Sequence, residues 1–142
     1  MIIRDSVTIR APMERVWDVF SKIETWADWN PVCRQCRFET GDRLAVGTCL
    51  SFELNLLGFP VRIVTEIKSY EKGRSVTWVG SKWGVKAEHT FTFKPVEEKV
   101  RLESIENFSG PMLIPAKLMS IPKRLHKLNR HLLVAIQKEA EK

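Results

Sequence analysis

An alternation of apolar and polar side chains runs through most of residues 48–106, and it constrains the fold more than any other feature of the chain. Side chains two positions apart point to the same face of a strand, so the pattern predicts strands with one apolar face. Five short segments rich in glycine, proline or charge interrupt the pattern, at residues 41–47, 57–60, 71–74, 80–84 and 95–99. Turns of this length join antiparallel neighbours, so the sequence predicts an antiparallel meander.

The segment before the meander contributes another strand and two short helices. Residues 2–10 alternate in the same way. After Pro12, helical spacing sets in with an apolar face made of Met13, Val16, Trp17 and Phe20. Trp26 and Trp29, three positions apart, predict a second helical piece that ends at Pro31.

The chain closes with a long amphipathic helix. Its apolar positions recur every three or four residues, at Leu118, Ile121, Leu125, Leu128, Leu132 and Ile136. Pro111, Pro115 and Pro122 predict that its first turns are irregular or kinked. The element order predicts an α+β fold: a curved antiparallel sheet of about seven strands, two short helices between strands 1 and 2, and the long C-terminal helix against the apolar face.

Length and composition predict one domain spanning residues 1–142, because 142 residues can bury a sizeable core. No stretch reaches 18 apolar residues and the first ten residues do not read as a signal peptide, so we expect a cytoplasmic protein without a membrane span. Cys33 and Cys36 are three positions apart, which would place them on opposite faces of a strand. With Cys49 they make an odd number, which predicts reduced thiols. No motif for a metal or a cofactor is present.

The net charge of +6 is concentrated near the C-terminus. The segment from Lys117 to Lys138, both included, contains six lysines and arginines, the histidines His126 and His131, and no acidic residue. The absence of aromatic residues among these cations favours a solvated helix face over a specific nucleic-acid site. An interaction module that uses this basic helix remains an alternative.

Three phrases resemble the START-related, birch-pollen-allergen-like (SRPBCC) helix-grip superfamily: IRAPMERVWDVFSKIETWADWNP, HTFTFKP and ENFSG. Within it, the chain is similar to the polyketide cyclase/dehydrase-like and lipid-transport-like family, essentially from end to end. The resemblance implies a curved sheet that grips the C-terminal helix around a hydrophobic cavity. Its members bind sterols, polyketides or quinones.

A bent sheet and a single helix leave a gap between them, which independently predicts a cavity. We expect it to be lined by inward residues of the strands, namely Phe52, Leu54, Ile63, Trp78, Ala87, His89, Phe91, Leu102, Ser104 and Glu106. Four of these, Ala87, His89, Ser104 and Glu106, interrupt an otherwise bulky apolar face and are therefore informative.

The hairpin of residues 85–108 allows two registers. A four-residue loop places His89 opposite Glu106 and Phe91 opposite Ser104, whereas a six-residue loop places His89 opposite Ser104. Either register brings an imidazole and a carboxyl group together. This pair is interpreted as a polar anchor for a ligand, as a structural hydrogen bond, or as an acid/base pair.

Turn parity predicts the opening of the cavity, because alternate turns of a meander lie at the same end of the sheet. The segments at that end carry apolar side chains where polar ones are usual, namely Trp29, Leu57, Phe59, Trp83, Met112, Leu113 and Ile114. They are interpreted as a gate, as a site of transient contact with a membrane or partner, or as residues that simply close the open end of the core. Trp17, Phe20, Trp26 and Trp29 are expected to form a V-shaped support that closes the cavity opposite the gripped end of the last helix, or else to be ordinary core residues.

Three functions follow from these observations. The first is a carrier or sensor that binds a lipid, a quinone or a polyketide-like aromatic molecule in the cavity. The second, implied by the resemblance, is a cyclase/dehydrase-like enzyme in which His89 and Glu106 transfer protons. The third is the interaction module with the basic helix. No nucleophile or metal cluster supports catalysis, and the oligomeric state is left open.

Overall fold

The computed structural model describes residues 1–142. Its elements are listed in chain order: β1 (Ile2–Ile9), α1 (Met13–Ser21), a 3₁₀ helix (Ile23–Asp28), β2 (Arg34–Phe38), β3 (Cys49–Asn55), β4 (Pro60–Glu71), β5 (Ser75–Lys82), β6 (Val85–Val96), β7 (Lys99–Ser109), α2 (Leu113–Leu118) and α3 (Ile121–Ala140). No helix is both long enough and apolar enough to cross a membrane.

The seven strands form one antiparallel sheet in the order β1-β7-β6-β5-β4-β3-β2. Strands β2 to β7 follow one another as a meander, and β1 pairs with β7 at the other edge. α1 and the 3₁₀ helix lie between β1 and β2, and α3 closes the chain. The α+β helix-grip architecture predicted from the sequence is confirmed.

The hydrophobic core joins one end of the sheet to α1 and the C-terminal half of α3. Phe20 of α1 packs against Phe91 and Phe93, with ring centroids 5.0 Å apart in both pairs. Leu133 and Ile136 of α3 are completely buried in the same cluster. Aromatic rings from α1 thus fill the space over the sheet beside the β6–β7 turn.

The start of the C-terminal helix is interrupted, as the prolines predict. The helix is divided into α2 and α3, because Ser120 between them adopts a left-handed conformation with φ of 60°. The predicted apolar face included Leu118, but this side chain lies in α2 and is 83% exposed. The placement of Leu118 in the core was therefore wrong, while Leu132 and Ile136 are buried as predicted.

The two cysteines of the CxxC segment also differ from the prediction, because both are buried rather than on opposite faces. A β-bulge between Arg34 and Arg37 shifts the register, and Gln35 within it has a φ of 47°. The bulge adds a residue to one side of the ladder, so an odd spacing no longer reverses the face. No three His, Cys, Asp or Glu side chains are arranged to hold a metal ion.

Candidate functional site

A cavity of about 280 Å³ lies between the concave face of the sheet, α2 and the N-terminal part of α3. Of its 30 lining residues, 21 are hydrophobic. The space exists because three neighbouring residues on adjacent strands have small side chains. Gly80 lies opposite Thr65 on one side and opposite Ala87 on the other. The helical residues that face this row include Leu125, Leu128 and Leu132, and they do not reach across it.

Seven of the ten predicted cavity residues line this space: Phe52, Leu54, Ile63, Trp78, Ala87, His89 and Glu106. Phe91, Leu102 and Ser104 do not. These three lie beyond His89 toward the β6–β7 turn, where α1 and α3 cover the sheet, and all three are completely buried. The cavity therefore occupies only the end of the concave face that α1 leaves uncovered.

The predicted aromatic support of the cavity is mostly core. Trp17, Phe20 and Trp26 do not line the cavity, and Trp29 packs beside Trp26 at a centroid distance of 5.9 Å. The connection runs through Trp78, which does line the cavity and whose ring stacks on Phe20 at 6.1 Å. Phe20 of α1 thus packs against Trp78, which forms part of the cavity wall.

Four polar side chains meet at the inner end of the cavity. His89 and Glu106 are opposite each other on β6 and β7, which is the register predicted for a four-residue loop. The loop itself is shorter than predicted, because Val96 and Lys99 also pair. The Nδ1 atom of His89 lies 3.6 Å from Oε2 of Glu106. Its Nε2 atom lies 2.6 Å from Oγ of Ser104, which in turn donates to Oδ1 of Asn129 at 2.8 Å.

The hydrogen bonds of this group fix the tautomer of His89. Because the Ser104 hydroxyl donates to Asn129, its oxygen accepts from Nε2–H of His89, and Nδ1 is left with a lone pair toward Glu106. Burial lowers the pKa of His89 to about 3 and raises the pKa of Glu106 to about 8. Both groups are therefore neutral at pH 7, and they do not form an ion pair.

The Cys33 thiol also lines the cavity. Its pKa is raised well above the usual value, first by burial and then by the neighbouring Cys36 and Glu106. Burial likewise raises the pKa of Cys36 to about 12. Both thiols are therefore protonated at neutral pH and are poor nucleophiles.

The predicted opening corresponds to the end of the cavity that is bordered by the β3–β4 turn, the β5–β6 turn and the β7–α2 junction. Leu57, Trp83, Met112 and Leu113 line the cavity at this end. The main chains are in direct contact here, because the Met112 amide donates to the Gly84 carbonyl at 3.2 Å. A Cβ atom added at Gly110, whose φ is 115°, would come within 2.5 Å of the same carbonyl oxygen.

Three residues assigned to the opening from the sequence do not line the cavity. Phe59 and Ile114 point outward and are 51% and 71% exposed. Trp29 is half-buried against the core instead. Phe59 and Ile114 therefore add to an apolar outer surface around the opening, and Trp29 does not form part of the lining.

Sequence reasoning missed Asn129 and Thr65, which both line the cavity and are 3% and 4% exposed. The signal for Asn129 was present, because it lies four residues after Leu125 and three before Leu132, on the apolar face of α3. Thr65 follows the alternation of β4 and could be assigned to the inner face but not to a cavity. Neither the Nδ2 atom of Asn129 nor the hydroxyl of Thr65 has a hydrogen-bond partner.

The basic residues near the C-terminus lie outside the cavity. A shallow surface depression is bordered by Lys123, His126, Lys127, Arg130 and His131 together with Asp5. Arg130 pairs with Asp5 at 3.0 Å, and Arg124 donates to the Leu56 carbonyl at 2.8 Å. Two of the cations thus connect α3 to the sheet.

The fold matches solved structures along the whole chain. The Zhui aromatase/cyclase from a Streptomyces species is 15% identical with a TM-score of 0.84, and the match covers 99% of this chain and 93% of that chain. A protein from Thermus thermophilus is 17% identical with a TM-score of 0.82, with 99% and 97% covered. A START superfamily protein from Mycobacterium smegmatis is 16% identical with a TM-score of 0.73, with 99% and 94% covered.

These identities establish a shared fold only. No curated protein sequence matches the chain. The model of the polyketide cyclase / dehydrase and lipid transport family matches residues 2–141, nearly the entire sequence. The chain, with its helix-grip fold and apolar cavity, therefore belongs to the polyketide cyclase/dehydrase and lipid transport family.

Proposed function

We propose that this chain, as a single ligand-binding domain, binds a hydrophobic small molecule of the lipid, quinone or polyketide-like aromatic class in its cavity and acts as a carrier or sensor. The observation that carries the proposal is the apolar cavity of about 280 Å³ between the sheet and α3. This volume lies just below the range for small-molecule sites, roughly 300–1,000 Å³. The ligand is therefore compact.

The chemistry of the lining supports binding more than catalysis. Small-molecule sites combine an apolar surface with a few polar groups that orient the ligand. Here His89, Glu106, Asn129 and Thr65 are the polar groups on the inner wall. Apolar side chains at the opening, such as Trp83 and Met112, are 58% and 46% exposed, which suits a gate for an apolar molecule.

Native mass spectrometry of freshly purified protein tests the proposal directly. We expect a fraction of the protein to have a higher mass because it carries a bound apolar compound. Extraction into organic solvent then identifies that compound. The matched variants are Ala87→Phe, which fills the cavity, and Glu88→Phe, which adds the same ring to an exposed neighbouring position. Loss of the compound in Ala87→Phe alone supports the proposal. Equal retention in both variants, or no binding of any apolar compound by the wild type, contradicts it.

An enzyme of the cyclase/dehydrase type is the second candidate, and the observation that favours it is the His89–Glu106 pair inside the cavity, 3.6 Å apart. With a pKa of about 8, Glu106 retains its proton at pH 7 and could act as a general acid toward a bound carbonyl group. Incubation with a linear polyketone is the test. A cyclised product formed by the wild type and absent with Glu106→Gln supports the enzyme, whereas unchanged substrate contradicts it.

A further inference from the structure

Asn129, a residue of the cavity wall, carries a buried hydrogen-bond donor that has no partner. Its side chain is 3% exposed and lines the cavity from α3. Its Oδ1 atom accepts the hydroxyl proton of Ser104, and its Nδ2 atom has no partner in the protein. Buried amide groups nearly always have partners, so an unpartnered NH₂ group at a cavity wall indicates that a ligand supplies the acceptor.

The orientation of the amide follows from the groups behind it. Ser104 has one proton to donate, and its oxygen receives the Nε2–H of His89. The amide oxygen is thus engaged by Ser104, and the NH₂ group is the part of the side chain that has no partner. Asn129 is therefore a donor to the cavity rather than an acceptor.

The inner wall offers no positive charge to an anionic ligand group. His89, Glu106 and Cys33 line this space, and all three are neutral at pH 7. The cationic side chain among the lining residues is Lys82, at the β5–β6 turn next to Trp83 and so at the opening. A carboxylate at the inner wall would remain without a compensating charge, whereas a carbonyl oxygen would not require one.

We propose that Asn129 Nδ2 donates a hydrogen bond to a carbonyl oxygen of the ligand, so that the cavity selects neutral apolar ketones, aldehydes or esters over hydrocarbons and carboxylates. This inference rests on the proposed function, because it names the class of molecule that the cavity binds. It gives the ligand an orientation, with its carbonyl group at the inner wall and its apolar remainder toward the opening.

Fluorene and fluorenone, which have the same three-ring skeleton and differ by one carbonyl group, are the probes. We expect the wild type to bind fluorenone about tenfold more tightly than fluorene, the effect of one net hydrogen bond. Fluorenecarboxylate is expected to bind more weakly than either. In Asn129→Leu, which keeps the volume and removes the donor, the preference for fluorenone is expected to disappear while fluorene still binds.

Two further variants separate Asn129 from its neighbours. Thr65→Val removes the other unpartnered polar group of the cavity, and Ser104→Ala removes the bond to Oδ1 but leaves Nδ2 in place. Both are expected to keep a ratio that favours fluorenone. If the preference survives in Asn129→Leu or is lost in Thr65→Val, the assignment to Asn129 is wrong.

The infrared stretching frequency of the bound carbonyl group gives a measurement on the wild type alone, which is informative even if Asn129→Leu does not fold. A frequency below that of fluorenone in hydrocarbon solvent supports the hydrogen bond, and an equal frequency contradicts it. Equal affinity for both probes overturns this inference and leaves the proposed function standing. Failure of the wild type to bind either probe counts against the proposed function itself.

Discussion

His89 lies opposite Glu106 in the β6–β7 ladder, yet its shortest polar contact is diagonal, from Nε2 to the hydroxyl of Ser104 at 2.6 Å. The ladder brings the carboxyl group near Nδ1, while the bond to Ser104 fixes which nitrogen carries the proton. The orientation of the imidazole therefore depends on a residue that does not line the cavity.

Removal of the Ser104 hydroxyl is expected to destabilise the protein. Ser104→Ala would leave the buried Nε2–H of His89 and the Oδ1 of Asn129 without partners, and an unsatisfied buried group costs about 1–3 kcal/mol. Urea denaturation measures the change in the free energy of unfolding. Ser109→Ala, at an exposed position of the same strand, is the control and should differ little from wild type. Equal stabilities of the two variants would contradict the hydrogen-bonded chain.

The stability of the protein is expected to depend on pH through His89 and Glu106 in opposite directions. The pKa of Glu106 rises from 4.5 to about 8 on folding, so the folded state binds the proton more tightly and stability falls as pH rises through this interval. The pKa of His89 falls from 6.5 to about 3, so its contribution rises with pH between about 3 and 6.5. Between pH 4.5 and 6.5 the contributions of the two residues to stability change in opposite directions and partly cancel. Between pH 6.5 and about 8 only the contribution of Glu106 changes, so stability decreases.

Glu106→Gln tests the alkaline part of this dependence. The variant should gain stability relative to wild type as pH rises toward 8, by at most about 1.4 kcal/mol per pH unit. Glu88→Gln changes an exposed carboxyl group on the same sheet and is the control. Denaturation curves at a series of pH values provide the comparison. A constant difference between Glu106→Gln and wild type would show that burial does not shift the pKa of Glu106.

The three thiols are expected to differ sharply in reactivity. Burial raises the pKa of both Cys33 and Cys36, whereas Cys49 is partly exposed. Because the thiolate is the reactive form, an aromatic disulfide reagent at pH 8 should modify Cys49 first and the other two only after addition of denaturant. The release of chromophore measures the reaction, and Cys49→Ser should abolish the rapid phase. Rapid reaction of two or three thiols in the folded protein would be inconsistent with the buried CxxC segment.

The apolar surface around the opening is expected to govern ligand transfer from membranes. Trp83→Ser and Ile114→Ser each remove an exposed apolar side chain at this surface, and they should slow the transfer of a fluorescent apolar probe from vesicles several-fold. Val46→Ser removes a side chain that is 65% exposed in the β2–β3 loop, at the opposite end of the sheet, and should leave the rate unchanged. If Trp83→Ser and Ile114→Ser transfer the probe as fast as Val46→Ser does, the apolar residues at this end serve only to close the core.

The sheet was accessible from the sequence because it depends on local patterns. The alternation of β6 and β7 and the short turn between them limit the residue opposite His89 to Glu106 or Ser104, and the structure has Glu106. The alternation within each strand indicates which side chains face inward, and the lengths of the turns indicate which strands are neighbours.

The extent of the cavity was not accessible in this way. Phe91 and Ala87 occupy the same face of β6, and only the position of α1 makes one core and the other cavity lining. The burial of Cys36 depends on a bulge, and the break at Ser120 that exposes Leu118 has no signal in helical periodicity. These features arise from contacts between distant parts of the chain, which periodicity does not encode.

The contact between Gly84 and the segment that leads into α2 has a mechanical consequence. The amide of Met112 is bonded to the carbonyl of Gly84, so the chain that leads into α2 is tied to the β5–β6 turn by its backbone. Rotation of a side chain does not break this bond. Any widening of the cavity between these two segments therefore requires a displacement of the main chain.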